Sequence, residues 1–334
     1  MPPHRRTPSR RLFLTGVAAA GAALAGCAPG DRDHSYAVAG GDGPPFPNVM
    51  QHQFGTTRIR TRPERIVALG PGDADALLAL DVRPVAILDR LRAWPQGVGP
   101  WALPKLGGAM PEILTGPQID FGRVAAIAPD LVTFIRSDGS RATWQRLNEL
   151  APTVSGPPAE RPYGTTWQDQ MMVAAETLSR PADGKRLVAG TEAAIAAARK
   201  ANPGFAGRTV CVATALDGRY QAYVRLDSRV GLLEAIGFGN APRIQRMEPE
   251  ATFVTIGRED AAWLDADLTV VIAVGAGAAT RNDPVLKGIP SARAGRLLVI
   301  DDAGLAHALS TNTALSIPYA LERFVPLARK AMAR

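Results

Sequence analysis

The sequence predicts an α/β fold of two lobes with mostly parallel sheets, joined by a single long helix and separated by a ligand cleft. Strand-like and helix-like segments alternate with short turns in two successive blocks of the chain, which indicates sheets covered by helices on both faces. Between the blocks, an alanine-rich stretch runs from Pro181 to Pro203. Each block has the pattern of a Rossmann-like lobe, and 334 residues with 46% apolar content suffice for two lobes.

The stretch from Pro181 to Pro203 has the features of one continuous helix. Asp183 is expected to cap its first turn, and Arg199 and Lys200 place positive charge in its last turn. Side chains suited to packing recur at helical spacing along one face: Leu187, Thr191, Ile195 and Ala198. We therefore expect an N-terminal lobe at residues 61–180, this helix at residues 181–203, and a C-terminal lobe at residues 204–334.

The N-terminal region carries an export signal and a tether. Arg10 and Arg11 begin a twin-arginine leader, and the apolar run that follows ends in Leu24-Ala25-Gly26-Cys27, which resembles a bacterial lipobox. Residues 1–26 are therefore expected to be a twin-arginine lipoprotein signal, with Cys27 lipidated as the new N-terminus. The alternative is an ordinary cleaved signal with an incidental cysteine. Residues 27–60 are expected to form a flexible tether.

The charge of the chain does not favour a nucleic-acid partner. The formal net charge is +7, and removing the four leader arginines at positions 5, 6, 10 and 11 leaves +3. The sequence also lacks a basic run with interleaved aromatic residues. We therefore expect no nucleic acid among its partners.

The pattern of apolar residues predicts the elements of each lobe. In the N-terminal lobe, strands are expected at 65–69, 85–88, 130–135 and 152–154, helices at 73–80, 120–127, 141–150 and 165–178, and a long loop at 89–108. In the C-terminal lobe, strands are expected at 208–213, 219–224, 268–274 and 295–300, and helices at 228–236, 283–287 and 316–332.

Aromatic and arginine side chains collect in or near the loops that follow these strands. In open α/β sheets, ligands bind beyond the carboxyl ends of the strands, where such loops lie. The predicted ligand contacts are Arg90, Trp94, Trp101, Arg136, Tyr163, Trp167, Tyr220, Tyr223, Arg225, Trp263 and Arg281. Trp144, on a helix, is expected to pack in the core. The alternative for each aromatic ring is that it caps the core of its own lobe.

Sites for bare metal ions or thiol chemistry are not expected. Of the four histidines, His4 lies in the leader, His34 and His52 lie in or near the tether, and His307 lies in the second lobe. The sequence has no HxxH, no CxxC and no cluster of carboxylates. Cys211 lies in an apolar run, where a lone cysteine is usually buried filler.

An enzyme is the alternative from another functional class, and the sequence supports it weakly. The glycine-containing run at residues 275–280 follows a strand, but it lacks the third glycine of a dinucleotide site, and Pro284 shortens the helix that would hold the pyrophosphate. The chain has no GxSxG sequence, and His307 is the one candidate base in the two lobes. We therefore expect no enzymatic activity and no cofactor, with a secreted α/β enzyme as the weaker alternative.

A series of runs, in this order and spacing, carries a resemblance to a known family. The runs are Arg62–Leu69, Asp73–Leu80, Val82–Ala86, Ile127–Val132, the central helix, Gly237–Asn240 and Leu315–Arg323. They cover the chain from about residue 60 to its C-terminus, and together they resemble the periplasmic binding proteins for ferric siderophores, haem and cobalamin that feed ABC importers. The resemblance implies two lobes on one long helix, small hinge motion and a ligand held between the lobes.

With aromatic faces and arginine forks in the loops, the resemblance implies a ferric siderophore of the hydroxamate or mixed type as ligand. Oxygens of the chelator saturate the iron, so the protein provides no metal ligands. Haem or cobalamin is the alternative within the same importer class, and one axial haem ligand is available from Tyr163, Tyr220, Tyr223 or His307. A structural envelope lipoprotein is a further alternative.

The resemblance also implies a permease partner. Members of the family pair acidic residues near the first helix of each lobe with arginines of the permease, and Asp75 matches the first by its spacing. The corresponding position in the second lobe is Gly231, a departure from the family, although Glu234 lies three residues further on the same helix face. The expected protein is an extracytoplasmic monomer, anchored through Cys27 to the outer face of the cytoplasmic membrane.

Overall fold

The computed structural model of the chain describes residues 43, 45–90, 92–159, 161–216, 218–247 and 251–333. The predicted export signal, the lipidation at Cys27, His34 and the first part of the tether lie outside these residues. Within the described ranges, none of the helices combines the length and the apolar character that a membrane span requires.

The N-terminal lobe begins with a β-hairpin where the sequence predicts a flexible tether. Strands β1 (Asn48–His52) and β2 (Gly55–Ile59) pair in antiparallel fashion. His52 is buried, and its ring lies edge-on to Trp144 with 5.3 Å between the ring centroids. The predicted tether is therefore wrong from Asn48 onward, because alternate side chains of the hairpin are buried against the lobe.

A five-stranded parallel sheet forms the centre of this lobe. Its strands are β3 (Ile66–Ala68), β4 (Ala86–Leu88), β5 (Glu112–Leu114), β6 (Leu131–Phe134) and β7 (Thr153–Ser155). The covering helices are α1 (Asp73–Ala79), α2 (Leu103–Leu106), α3 (Phe121–Ile127), α4 (Arg141–Leu150) and α5 (Trp167–Thr177). The strand order is β5-β4-β3-β6-β7, so the direction of winding reverses between β3 and β6. Ligands of such sheets bind at the carboxyl ends of the strands at this reversal.

The predicted long helix is α6, which runs unbroken over Pro181–Ala201. Its first half packs against the N-terminal core through Leu187 and Val188, and its second half packs against the C-terminal core through Ala194, Ile195 and Ala198. Thr191 lies buried between these contacts. The prediction that Asp183 caps the helix is wrong, because its carboxylate instead pairs with the side chains of Arg180 and Arg186.

The C-terminal lobe is built on a mixed sheet. Its strands are β8 (Thr209–Leu216), β9 (Arg219–Tyr223), β10 (Gly239–Asn240), β11 (Phe253–Ile256), β12 (Leu268–Ile272) and β13 (Leu297–Ile300). The order is β11-β9-β8-β12-β13, with β10 beside β8. Strands β8, β12 and β13 are parallel neighbours, whereas β9 and β11 run antiparallel to their neighbours.

Helices cover both faces of this second sheet. They are 3-10 helices at Pro203–Phe205 and Arg258–Leu264, and the helices α7 (Ser228–Ala235), α8 (Pro242–Gln245), α9 (Gly277–Asn282), α10 (Pro284–Lys287), α11 (Pro290–Arg293), α12 (Ala303–Thr311) and α13 (Ser316–Met332). Helix α12 is not predicted by the apolar pattern of the sequence, and it contributes to the cleft described below.

Successive side chains of each strand point to opposite faces of the sheet, so each sheet has a separate core on each of its two faces. In β3, Ile66 and Ala68 belong to one core, and Val67 belongs to the core on the opposite face. Cys211 is fully buried in one core of the C-terminal lobe, and burial raises the pKa of its thiol to about 12. The prediction that Cys211 is buried filler is confirmed.

Two glycines of α6 give a matched test of the packing of this helix. A methyl group at Gly184 would lie 2.5 Å from the Cβ of Ala175 in α5, whereas nothing lies within 4 Å of a methyl group at Gly190. We expect Gly184→Ala to lower the free energy of unfolding by about 1–3 kcal/mol through overpacking. Gly190→Ala is expected to raise it by up to about 1 kcal/mol, because alanine favours the helix. Urea denaturation measures both, and equal effects would contradict a close α5–α6 contact.

Candidate functional site

Two chambers lie in the cleft between the lobes. The first, which we call the aromatic chamber, has a volume of about 430 Å³ and is lined by Asp75, Asp89, Arg90, Trp94, Trp101, Arg136, His307 and Ser310, among others. The second, which we call the arginine chamber, has a volume of about 550 Å³ and is lined by Arg136, Arg161, Tyr163, Trp167, Arg225, Asp227 and Ser310, among others. Both volumes suit a ligand of several hundred daltons. The chambers share Pro71, Arg136 and Ser310, so they meet at Arg136.

Trp94 is the central ring of the aromatic chamber. It lies edge-on to Trp101, with 6.2 Å between the centroids, and edge-on to His307 of α12, with 5.4 Å between the centroids. Its backbone N–H donates to Asp89 Oδ2 at 3.0 Å, which anchors the loop after β4. Burial lowers the pKa of His307, Asp89 opposes this shift, and Arg229 adds to it. At neutral pH the chamber therefore presents a neutral imidazole beside a partly exposed indole.

Trp101 packs between the two lobes and also lines the aromatic chamber. Its indole N–H donates to Asp75 Oδ2 at 2.6 Å, and its ring lies 5.6 Å from the ring of Tyr319 in α13. The hydroxyl of Thr313, which follows α12, donates to the same oxygen of Asp75 at 2.7 Å. Asp75 thus links α1 to the C-terminal lobe.

The structure places Asp75, the expected permease contact of the first lobe, inside the cleft rather than on an outer surface. Its side chain is buried, at 4% exposure, and one of its oxygens already accepts two internal hydrogen bonds.

Arg136 crosses the cleft at the point where the chambers meet. It follows β6, and its guanidinium donates to the carbonyl oxygens of Thr311 at 2.7 Å and Asn312 at 3.3 Å. Both carbonyls lie at the C-terminal end of α12, where helix geometry favours a cation. Burial lowers the pKa of Arg136, and nearby Asp73 and Asp75 oppose this shift. Among the described residues, no group accepts a hydrogen bond from its buried Nε–H.

Asp73 holds the backbone from which Arg136 projects. Its carboxylate is fully buried at the start of α1 and accepts from the N–H of Ile135 at 2.9 Å and from Gln170 Nε2 at 2.7 Å. Burial raises the pKa of Asp73, and these hydrogen bonds oppose the shift. The turn at Gly70 must come close to this carboxylate, because a methyl group there would lie 2.5 Å from Asp73 Oδ2. The turns after β3 and β6 are thereby fixed against each other.

The arginine chamber is formed by the loop before α5 and the loop after β9. Arg161 donates through Nη2 to the carbonyl of Leu226, a hydrogen bond that joins the two lobes. Arg225 Nε lies 3.4 Å from Glu234 Oε2, and its side chain is 71% exposed. Tyr163 is 45% exposed and adopts φ 57°, a conformation unusual for a residue other than glycine. Such strained residues concentrate at binding sites.

Trp167 is the first residue of α5, after the N-cap Thr166. Its ring is partly buried and packs against cores of both lobes, and it also borders the arginine chamber. Its position therefore combines packing with a place at the site.

Two predicted ligand contacts, Tyr220 and Tyr223, do not line either chamber. Both lie within strand β9, which corresponds to the strand predicted at 219–224, and their rings pack into the cores on opposite faces of the sheet. Tyr220 donates to Asp283 Oδ2 at 3.0 Å and borders a separate pocket of about 400 Å³. The Arg229 guanidinium covers the ring of Tyr223 at 4.0 Å from its centroid.

Trp263 and Arg281, two further predicted contacts, also lie away from the chambers. The Trp263 ring stacks beneath Arg243, with the guanidinium carbon 4.4 Å from its centroid, and it packs against the core of the C-terminal lobe. Arg281 pairs with Asp301 at 2.7 Å. Neither residue lines a chamber. The structure therefore brings seven of the eleven predicted contacts to the cleft: Arg90, Trp94, Trp101, Arg136, Tyr163, Trp167 and Arg225.

Other cleft residues were outside the predicted contact set. Arg161 lies with Tyr163 and Trp167 in a loop that is expected at the cleft, but it is not among the predicted contacts. His307 is predicted only as a possible haem ligand or enzymatic base, and Ser310 and the carbonyls of Thr311 and Asn312 are not predicted to line the cleft. These four belong to α12 or the residue after it, an element that the hydrophobic pattern did not reveal.

Potential metal ligands do not cluster in the described part of the chain: it contains no group of three or more His, Cys, Asp or Glu side chains that is placed to hold a metal ion. Trp144, predicted to pack in the core, is buried and donates from its indole N–H to the carbonyl of Thr153 at 2.9 Å.

Asp75 makes the stability of the protein depend on pH. Burial raises its pKa from 3.8 to about 6, and hydrogen bonds from Thr313 and Trp101 oppose the shift. Between these values the folded carboxyl is protonated and the unfolded one is ionised, so this group destabilises the fold as pH rises. We expect Asp75→Asn to gain stability relative to the wild type between pH 4 and pH 7, by up to about 3 kcal/mol.

Thermal unfolding at a series of pH values measures this difference. Asp301→Asn is the matched control: the hydrogen bond from Arg281 lowers the pKa of the exposed Asp301 from 3.8, so its effect on stability changes mainly below that pH and should be nearly constant between pH 4 and pH 7. If the difference in stability between the wild type and Asp75→Asn stays constant with pH, the expected protonation of buried Asp75 is contradicted.

Comparison with known proteins identifies the family. The periplasmic binding protein family matches residues 66–303. The probable siderophore-binding lipoprotein YfiY of Bacillus subtilis (strain 168) is 26% identical over 245 residues, which cover 70% of this chain and 71% of the relative.

Solved structures agree with this match. A periplasmic solute binding protein from Mycobacterium smegmatis str. MC2 155 has a TM-score of 0.76 at 26% identity, over 85% of this chain and 98% of that chain. PiaA from Streptococcus pneumoniae TIGR4, solved in complex with ferrichrome, has a TM-score of 0.70 at 24% identity, over 85% and 98% of the two chains. Because the family match covers more than half of the sequence and the fold has two lobes on one helix, the chain belongs to the periplasmic binding protein family.

Proposed function

We propose that this protein captures a ferric siderophore between its lobes and delivers it to the permease of an ABC importer. The cleft carries this proposal: two chambers of about 430 and 550 Å³ meet at Arg136 and are lined by indole rings and guanidinium groups. Indole rings suit the flat, apolar parts of a chelator, and guanidinium forks donate paired hydrogen bonds to its oxygens. Iron enters this site as part of the ligand, already bound by the chelator.

Two relatives support this class of ligand. YfiY of Bacillus subtilis (strain 168), which aligns with 70% of this chain, is named a probable siderophore-binding lipoprotein. PiaA from Streptococcus pneumoniae TIGR4, which has the same fold, was crystallised with ferrichrome. The activity proposed here is binding and delivery rather than catalysis.

The contacts between the lobes support capture with small movements. Helix α6 is continuous, and hydrogen bonds from Arg136 to Thr311 and from Thr313 to Asp75 join the lobes beside the chambers. A ligand that enters the cleft therefore meets walls whose spacing is already set. Such preorganisation lowers the free-energy cost of ordering side chains on binding.

Export and anchoring complete the proposal. We infer that residues 1–26 direct export through the twin-arginine route, and that a lipid on Cys27 holds the protein at the outer face of the cytoplasmic membrane. Glu234 remains the proposed permease contact of the C-terminal lobe, because 27% of its side chain is exposed beside Arg225. We further propose that the protein acts as a monomer.

Intrinsic fluorescence tests the proposed ligand. Iron-loaded siderophores are titrated into the mature domain, and we expect quenching with a Kd in roughly the micromolar to nanomolar range. Trp94→Ala is expected to weaken binding by more than about tenfold, measured by calorimetry, because the central ring of the aromatic chamber is lost. Trp263→Ala is the matched control, since this ring packs outside both chambers, and its affinity should equal that of the wild type.

Two results would contradict the proposal. Absence of binding across a panel of ferrichrome, ferrioxamine B and ferric staphyloferrin B, together with a Soret band on titration with haemin, would reassign the ligand to haem. Equal loss of affinity in the two tryptophan variants would place the ligand outside the cleft.

A further inference from the structure

We propose, building on the proposed function, that the arginine chamber makes this protein selective for ferric siderophores that carry net negative charge. The sequence leads us to expect a hydroxamate or mixed-type ligand, and the simplest trihydroxamate complexes are neutral. The distribution of charge in the cleft favours the mixed type, in which carboxylate or phenolate groups give the ferric complex an excess of negative charge.

The arginine chamber has an excess of cationic groups. Arg136, Arg161 and Arg225 line it, and Asp227 is the one carboxylate that lines it within the described part of the chain. Asp227 Oδ2 accepts from Arg229 Nη1 at 2.7 Å, and its Oδ1 accepts from the backbone N–H of the same residue. The negative charge of Asp227 is therefore matched by Arg229, and Arg136 is balanced by Asp73 and Asp75, so the positive excess of this chamber comes from Arg161 and Arg225.

Two of these arginines retain capacity for an anion. Arg161 is held by the carbonyl of Leu226, a neutral acceptor that positions the guanidinium without neutralising it. Arg225 faces Glu234 through a single contact from Nε at 3.4 Å, and most of its side chain is exposed. A guanidinium has five N–H donors, so one hydrogen bond leaves a fork that binds a carboxylate or phenolate.

The aromatic chamber has the opposite character. Arg90 and Arg136 line it together with Asp75 and Asp89, so its formal charges balance. Arg90 also donates to the carbonyl of Pro117. The neutral indole and imidazole rings of Trp94 and His307 lie in this half of the cleft. The cleft is thus divided into a charge-balanced, ring-lined half and a cationic half, with Arg136 common to both.

This division predicts the orientation of the ligand. The less charged and more apolar part of the ferric complex occupies the aromatic chamber, and its anionic groups lie in the arginine chamber. The buried Nε–H of Arg136, which has no acceptor among the residues that the structure describes, lies where the two parts meet. Charge complementarity of this kind gives specificity between ligands of similar shape.

A series of ligands that differ in charge alone tests the proposal. Ferrioxamine B is positive, its N-acetyl derivative is neutral, and its N-succinyl derivative is negative, whereas the iron centre is the same in all three. We expect the negative member to bind at least about tenfold more tightly than the positive one, with a preference that decreases at high salt. Neutral ferrichrome and negative ferric staphyloferrin B repeat the comparison on other scaffolds.

Substitutions of its arginines test whether the arginine chamber causes the preference for negative complexes. Arg161→Gln combined with Arg225→Gln should weaken binding of negative complexes by at least about tenfold and leave neutral complexes within about threefold. Arg58→Gln, an exposed change on β2, is the control and should alter neither. Thermal unfolding of each variant shows whether its fold is intact.

The outcomes separate this inference from the proposed function. Equal affinity for negative and neutral complexes, or tighter binding of the neutral and positive ones, overturns the inference and leaves siderophore binding intact. Equal weakening of the binding of negative and neutral complexes in the double variant also overturns it, because that result means that the two arginines maintain the shape of the cleft rather than select for charge. Failure of every ferric complex to bind overturns the proposed function itself.

Discussion

The buried guanidinium of Arg136 is the constraint on which the rest of the cleft depends. A buried charge is costly unless it is paired and hydrogen-bonded. Asp73 and Asp75 provide the opposite charge from the N-terminal lobe, and the carbonyls of Thr311 and Asn312 accept its hydrogen bonds from the C-terminal lobe. Because the partners come from both lobes, satisfying this one side chain sets their spacing and divides the space between them into two chambers.

The two lobes are joined by more than a helix. Helix α6 packs against the cores of both, and Trp101 wedges its ring against Tyr319 while it donates to Asp75. A structure linked at several points moves less on binding than one linked by a flexible hinge, so the chemistry of the cleft is largely present before the ligand arrives. Selectivity then rests on which side chains line each chamber, and the two chambers differ in charge and in ring content.

Much of this architecture could be predicted from the sequence, and the failures have physical causes. The long helix α6 and the terminal helix α13 could be predicted because the helical spacing of apolar residues is clear over many residues. Helix α2 lies inside the proline- and glycine-rich segment predicted as a loop at 89–108, and strand β5 follows it closely, so neither short element has a clear apolar pattern around it. The rings of Tyr220 and Tyr223 pack into cores rather than lining the cleft, because both residues lie within β9. The burial of Asp75 depends on Trp101 and Thr313, which are distant from it in sequence.

The central claim is that the ligand occupies the space on both sides of Arg136. Hydrogen–deuterium exchange with and without a bound ferric siderophore tests it most directly. We expect protection in peptides that cover residues 93–101, 161–168 and 225–232, which line the two chambers. Peptides that cover residues 276–284, beside the separate pocket of the C-terminal lobe, should exchange unchanged. Protection confined to that pocket, with the cleft peptides unaffected, would show that the ligand does not bind beside Arg136.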